Sequence, residues 1–523
     1  MSFTVLSEMR GINTGFLIGL FSFLSVQCNL DISQEVEYEM GSLPQEIDFN
    51  YHVKPILSDR CYSCHGPDEK SRKAGLRLDL ESIAFSKLES NNRAFVKGSI
   101  SRSEGVHRIL SNDPEKQMPP PESNLSLSNR EKAILIKWID QGAEWKDHWA
   151  FIPPTKKILP KISSEELKHE IDQFIYNKLI GKKLDFEASA TKETLIRRLS
   201  FDLTGLPPSI KQIDQYLKDS LLGNYERLVD RLMESNAFAE RLTLDWLDLS
   251  RYADSHGLHA DGLRTMWPWR DWVIKAFENN MPYDQFVTLQ LAGDLIPNAT
   301  KEQIIATGFN RNHKITQEGG VIPEEYRVEY VADRAITTSK LMMGLTMECA
   351  RCHTHKYDNI SHDEFYGFYG FFNNINEKGL IEYGDFSPEP KFTVSKNDLD
   401  SGLDFIKLPD SLDQVTFMVM KESKNLRKTY VLNRGLYNLE MNEVKPTAPS
   451  AVMKMNKDNA NRLDLANWFF DKDNPLTSRV VVNRLWQQFF GVGIVATPDD
   501  FGSQGNRPIN PELLDWLAIT YKD

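Results

Sequence analysis

Cysteine is scarce in this chain, with five in 523 residues, too few for the disulfide framework that staples small secreted domains. A basic excess is missing too: 62 Lys and Arg face 74 Asp and Glu, for a formal charge of −12. That argues against nucleic acid, which needs a basic face, and leaves room for a basic redox partner. Long apolar runs are absent after the N-terminus. The one run there, Phe16 to Val26, is about half of the ~20 residues a membrane-spanning helix requires. No low-complexity tract occurs, and nothing repeats except one five-residue motif. With 41% hydrophobic and 26% charged residues the composition is that of an ordinary globular protein, long enough for roughly two to four domains.

What is present is concentrated in the cysteines. Four of the five fall in Cys61-Tyr62-Ser63-Cys64-His65 and Cys349-Ala350-Arg351-Cys352-His353. C-x-x-C-H is the attachment signature of c-type haem: the two thiols bond the porphyrin vinyl groups and the histidine supplies an axial nitrogen to iron. Composition alone would yield such a motif about once in a thousand chains of this length. A zinc site would call for a second C-x-x-C nearby, and a redox dithiol would not explain the histidine twice. Two covalent haems are therefore expected, with His65 and His353 as the proximal iron ligands.

Residues 1–28 read as an export signal. Cys28, the remaining cysteine, sits where a bacterial lipoprotein is cleaved and acylated, although Gln27 is a poor match before it; a lipid anchor at Cys28 and simple cleavage nearby both stay open. Haem is attached to c-type cytochromes outside the cytoplasm, so export and motif agree on a periplasmic or outer-membrane-anchored location. Residues 29–45 are polar and acidic and read as a tether. A compact haem unit is expected over 46–150. Helical spacing at Phe49, Val53, Ile56 and Leu57 leads into Cys61, and a closing helix over Arg130 to Trp145 carries Ala133, Ile134, Ile136, Trp138 and Ile139. Between them, Met118-Pro119-Pro120-Pro121 makes Met118 the expected distal ligand, its soft thioether suited to iron. His107 is the runner-up.

Over 165–375 the apolar spacing is helical, and aromatics crowd from Trp246 to Phe286 through Trp267, Trp269 and Trp272; these read as core or haem packing. A helix opening at Pro323 runs towards the second motif. Glu325 with Glu329, and Asp333 with Arg334, read as a solvated or salt-bridged face. His355 lies about 200° from His353 if the helix continues, which makes it a neighbour rather than a second ligand. For the sixth position of the second iron His313 stands slightly ahead of His256 and His259, and an open position is the alternative. Over 376–455 the helical spacing stops, and Phe392 to Val394, Val415 to Met420 and Lys428 to Asn433 read as strands of a small β-rich insert. Residues 456–523 return to helix over Arg462 to Phe470, Ser478 to Phe490 and from Pro511. The fold class is mainly α: a class I cytochrome c-like domain, a larger helical haem domain, the insert, and a partial C-terminal helical domain.

The first unit resembles the planctomycete-type cytochrome c domain through Cys61-Tyr62-Ser63-Cys64-His65-Gly66-Pro67 and Met118-Pro119-Pro120. The middle is similar to the large domain of unknown function that follows it, through Leu203-Thr204-Gly205-Leu206-Pro207, Arg251-Tyr252-Ala253-Asp254, Trp269-Arg270-Asp271-Trp272-Val273, Gln290-Leu291-Ala292-Gly293-Asp294 and the second motif. The tail resembles the start of a third domain, through Asn474-Pro475-Leu476-Thr477 and Val482-Asn483-Arg484-Leu485-Trp486. The resemblance implies exported proteins with covalent haem, from bacteria rich in sulfatases and polysaccharide-degrading systems, and a third domain that runs on past Asp523. It places His355 in a C-H-x-H-K-Y-D run that lines the haem.

Three readings follow. The first is an exported dihaem cytochrome that passes electrons to a redox partner protein. The second is a haem-dependent oxidoreductase with an open second iron, acting on peroxide or a saccharide-derived substrate. The third is a carbohydrate-binding or scaffold protein whose haems are structural. The first is preferred; no catalytic residue is assigned.

Overall fold

The structure is a computed structural model that describes residues 30–162, 167 and 169–522. The stretch read as an export signal, with Cys28, lies outside the described residues. The architecture is mainly helical, with two small two-stranded antiparallel sheets. Among the described residues no helix is long and apolar enough to cross a membrane.

The segment read as a tether folds instead as helix α1, Gln34–Ser42, N-capped by Ser33. Its glutamates face water while Val36 is buried in the first core, and Arg130 ties it down through Glu39 (3.3 Å) and Ser42 (3.1 Å). Acidic composition hid a short amphipathic period. A five-residue π turn, Phe49–Val53, then leads into α2, Lys54–Arg60, with Pro55 in its first turn. After the motif come α3, Glu104–Leu110, and α4, Asn129–Asp140, which Ser128 and Glu131 start with a reciprocal capping box. Phe49 packs on Trp138 and Trp145 (ring centroids 5.6 and 4.2 Å), with Phe95 edge-on to Trp138. This core belongs to residues 36–143, with Tyr357 from the second motif's run laid against it.

Helices α5 (Glu170–Gly181), α6 (Lys192–Thr204), α7 (Ile210–Lys218), α8 (Asn224–Met233), α9 (Asn236–Leu249), α10 (Trp267–Glu278) and α11 (Tyr283–Ala292) follow. The expected aromatic crowd is core: Trp269 and Trp272 are fully buried, and Trp272 stacks on Phe286. The 21-residue α12, Pro323–Met343, starts at a proline and stops at Gly344, whose φ of 58° ends it left-handed. Helix α13 is His362–Gly370. Strands β1 (Lys391–Ser395) and β2 (Gln414–Met418) pair, as do β3 (Thr429–Leu432) and β4 (Glu440–Val444). Helices α14 (Arg462–Phe469), α15 (Thr477–Phe490) and α16 (Pro511–Lys522) close the chain.

One large core joins these parts. Val394 and Phe417 of the strands, and Leu465 and Leu513 of the last helices, belong to the same apolar cluster as Trp269 and Phe365. The breaks read in the sequence at 376 and 456 therefore do not interrupt the packing. A third, small cluster sits among α6, α7 and α8.

Candidate haem sites

The first motif continues α2. Cys64 and His65 both donate their N–H to the Cys61 carbonyl (3.1 and 2.8 Å), making one helical turn that sets the thiols three residues apart with the histidine beside them. The loop beyond folds back: Lys73 N–H donates to the Cys64 carbonyl and Leu78 N–H to the His65 carbonyl, each at 2.8 Å. Gly66 is needed there, because a Cβ would lie 2.5 Å from the Tyr62 carbonyl oxygen. Burial pushes the Cys61 thiol up to about 12. Burial, helped by the Arg108 charge, lowers the His65 pKa, so its imidazole stays neutral. Its Nδ1 is buried with no hydrogen-bond partner. Arg108 connects this histidine to the proline loop, since its carbonyl accepts the Met118 N–H at 3.1 Å. Met118 is half-buried. His107 is turned outward, its Nε2 at 2.8 Å from the Ser101 carbonyl. Two thiols, a neutral imidazole with an orphaned buried nitrogen, and a half-buried thioether on the loop hydrogen-bonded to Arg108 suit a covalently held haem iron. Among the described residues no three His, Cys, Asp or Glu side chains are grouped to hold a metal ion, as a zinc site would demand.

The second motif follows α12 on a short 3-10 turn, Glu348–Arg351. Cys349 and Cys352 are exposed. Nδ1 of His353 is 2.7 Å from the Thr354 carbonyl, which leaves Nε2 with its lone pair, the nitrogen an iron would take. Arg351, which the sequence reading passed over, anchors the turn. Its carbonyl accepts from His362 Nε2 (2.9 Å) and the Tyr366 hydroxyl (3.1 Å), both on α13. Its guanidinium meets Glu329 of α12 (2.7 Å on one arm), which raises the Arg351 pKa. Glu329 is thus salt-bridged to the motif itself. Asp333 pairs with Arg251 at 3.0 Å, whereas its neighbour Arg334 is buried on Glu377.

The helix does not continue through His355. The chain turns, and His355 is buried with Nδ1 accepting the Asp358 N–H at 2.8 Å; the angular argument does not apply. His313 is equally buried. Its Nδ1 lies 3.0 Å from the Lys314 carbonyl, its Nε2 lies 2.6 Å from Arg334, and its ring stacks on Tyr330. Burial, then the charges of Arg334 and Arg311, hold its pKa well below the imidazole range. Both nitrogens are in use, so iron could be ligated only by breaking the Arg334 contact. His256 Nε2 is 2.9 Å from the Asp385 carbonyl, and His259 Nδ1 is 2.7 Å from the Thr316 hydroxyl.

The two motif regions meet. Asp358, six residues beyond Cys352, accepts the Ser503 N–H at 2.8 Å, and a Cβ on Gly502 would lie 2.3 Å from its carboxylate. Burial pushes Lys54 of α2 down to about 8 against the pull of the Asp358, Asp147 and Asp79 charges. Burial, with Asp358 adding, pushes Asp500 up to about 6. Burial also lowers the His362 pKa, and Lys70 from the first motif's loop and His353 from the second both push the same way. The only signal for this junction in the sequence is the Lys356-Tyr357-Asp358 run.

Family models match three stretches in order: planctomycete cytochrome C over 61–122, a protein of unknown function (DUF1549) over 170–377, and a second protein of unknown function (DUF1553) over 461–523. This is a planctomycete-type cytochrome c domain protein. The cytochrome stretch holds Cys61, Cys64, His65 and Met118, and it implies haem c binding there. The second motif lies within the DUF1549 stretch. No curated protein and no solved structure matches the chain.

Proposed function

We propose that this cytochrome c-like chain is an exported dihaem protein that transfers electrons between its two haems and an external redox partner. The observation that carries the reading is the junction, where Tyr357, in the run that follows the second motif, lies against the apolar core of the first motif's domain. Cys61, Cys64, His65 and Met118 would hold the first haem, and Cys349, Cys352 and His353 the second. A bound haem supplies a one-electron iron couple, and a His/Met pair raises its potential. The chain contributes a buried, neutral imidazole at the first site, and at the second an Arg351 anchor that keeps the turn in place.

The test uses full-length protein from a host competent in cytochrome maturation. Intact mass should carry two haem increments, and redox titration should resolve two potentials. Met118→Leu should lower the higher one and leave the other in place. One increment, or a Met118→Leu titration identical to the parent, would refute the reading.

A second reading, a haem-dependent oxidoreductase acting on peroxide or a saccharide-derived substrate, is favoured by one observation: His313 has both nitrogens engaged. High-spin iron at the second site and binding of a small ligand there would support it; two low-spin haems with no ligand exchange would rule it out.

A further inference from the structure

We propose that the turn between β3 and β4 covers the porphyrin at the second motif, with Leu436 and Leu439 packed against it; this rests on the dihaem reading. The turn lies directly on the thiol that would carry the porphyrin. Cys352 Sγ is 3.5 Å from the Arg434 carbonyl oxygen, and Arg351 reaches the Gly435 carbonyl at 3.5 Å. A Cβ on Gly435 would come within 3.4 Å of Cys352 Sγ. Asn433 N–H donates to the Leu439 carbonyl at 2.8 Å and Leu436 N–H to the Asn433 carbonyl at 3.1 Å, so the turn is closed upon itself. Its backbone is left-handed at Arg434 as well as Gly435 (φ 53° and 73°). An arginine held there is a strained conformation of the kind that persists where surrounding structure imposes it.

Within this turn Tyr437 packs against the large core, whereas the two leucines that flank it reach the surface. Leu436 is 48% exposed and Leu439 is 43% exposed, on a turn whose backbone touches the exposed Cys352 thiol. A porphyrin is a broad apolar plate, and two thioether bonds would tether it at this spot. Leucines on the turn that touches the Cys352 sulfur would remove apolar surface from water on both partners. The insert is no free-standing module: Val431 and Leu432 of β3 belong to the large core, which fixes where the turn can sit. The turn therefore acts on the haem environment, through packing, and forms no bond to iron.

The test compares full-length holoprotein with the double substitution Leu436→Ser/Leu439→Ser, and with Leu426→Ser as a control. Leu426 is 77% exposed in the same insert, outside the turn. The double variant should keep both haem mass increments. Its second haem should shift to a lower potential and take up carbon monoxide faster when reduced, while the first haem stays unchanged and serves as reference. Gly435→Ala, which strains the turn at Cys352, should move the same quantities in the same direction. Unchanged potential and carbon monoxide uptake, with two haem increments, would overturn the cover alone. Unchanged spectra with slower exchange to an external redox protein would assign the leucines to a docking partner and overturn it too. A parent protein with a single increment would overturn both the cover and the dihaem reading.

Discussion

Cys61 lies against the apolar core of its own domain, while Cys349 and Cys352 stand in solvent beside a surface turn. The same five-residue chemistry has been placed in two unlike environments. Around the first motif the support is apolar: Tyr62 is buried in, and Cys61 packed against, the core that holds Phe49, Trp138 and Trp145, and the backbone of 66–78 folds back on the motif. Around the second the support is ionic, from Arg351 on Glu329 to the buried Arg311, Arg334 and Glu377 group behind α12. Attachment motifs specify a covalent link. They leave the dielectric and the reach of solvent around the link to the rest of the fold.

Breaking each kind of support should separate the two regions. Glu377→Gln removes the carboxylate that two fully buried arginines share, so about 3–5 kcal/mol of stability should be lost. Phe49→Ala empties a ring that is 1% exposed, at a similar cost of about 3–5 kcal/mol. The two cores are distinct. Calorimetry should therefore find the Glu377 change lowering the large-core transition and the Phe49 change lowering the first-domain one. If both substitutions depress a single shared transition equally, the contrast between the regions is wrong.

Lys54→Met sharpens the comparison at the junction. The folded pKa of Lys54 is depressed to about 8 by burial, so between about pH 8 and the ordinary lysine value of ~10.4 the unfolded chain binds more protons than the folded one. Stability from this group is present above that window and is lost as pH falls through about 8. Denaturant midpoints of the parent should rise across pH 8–10 relative to those of Lys54→Met, and a parallel pair of curves would contradict the assignment. The smallest effect is expected at Ser128→Ala, which removes half of the α4 capping box. It should cost about 1 kcal/mol, read in the first-domain transition only.

Much of the scaffold was legible because local patterns decide it. Helical spacing located α4, α6 and α12, and alternation found β1, β2 and β3 close to their observed ends. Helix α1 was missed, because Glu35, Glu37 and Glu39 dominate a segment in which Val36 is the sole buried residue. At the sites, both pentapeptides could be read ahead, each with its histidine directly after the second cysteine. The role of Arg351 could not, because it depends on Glu329, His362 and Tyr366 arriving from two other helices. His313 was singled out for its residue type. Its engagement with Arg334 follows from α12 lying alongside, which no local pattern reports.

The amino-acid order by itself determined where the haem-attachment motif occurs twice and that a histidine follows each pair of thiols, because the motif is confined to residues within about one helical turn. Only the tertiary structure decided that one pair of thiols is sheltered and the other stands in water, and that burial holds Lys54 below its ordinary pKa against the Asp358 charge. Burial and Coulomb fields are sums over groups far apart in the chain, and those sums take a value only once the chain has folded.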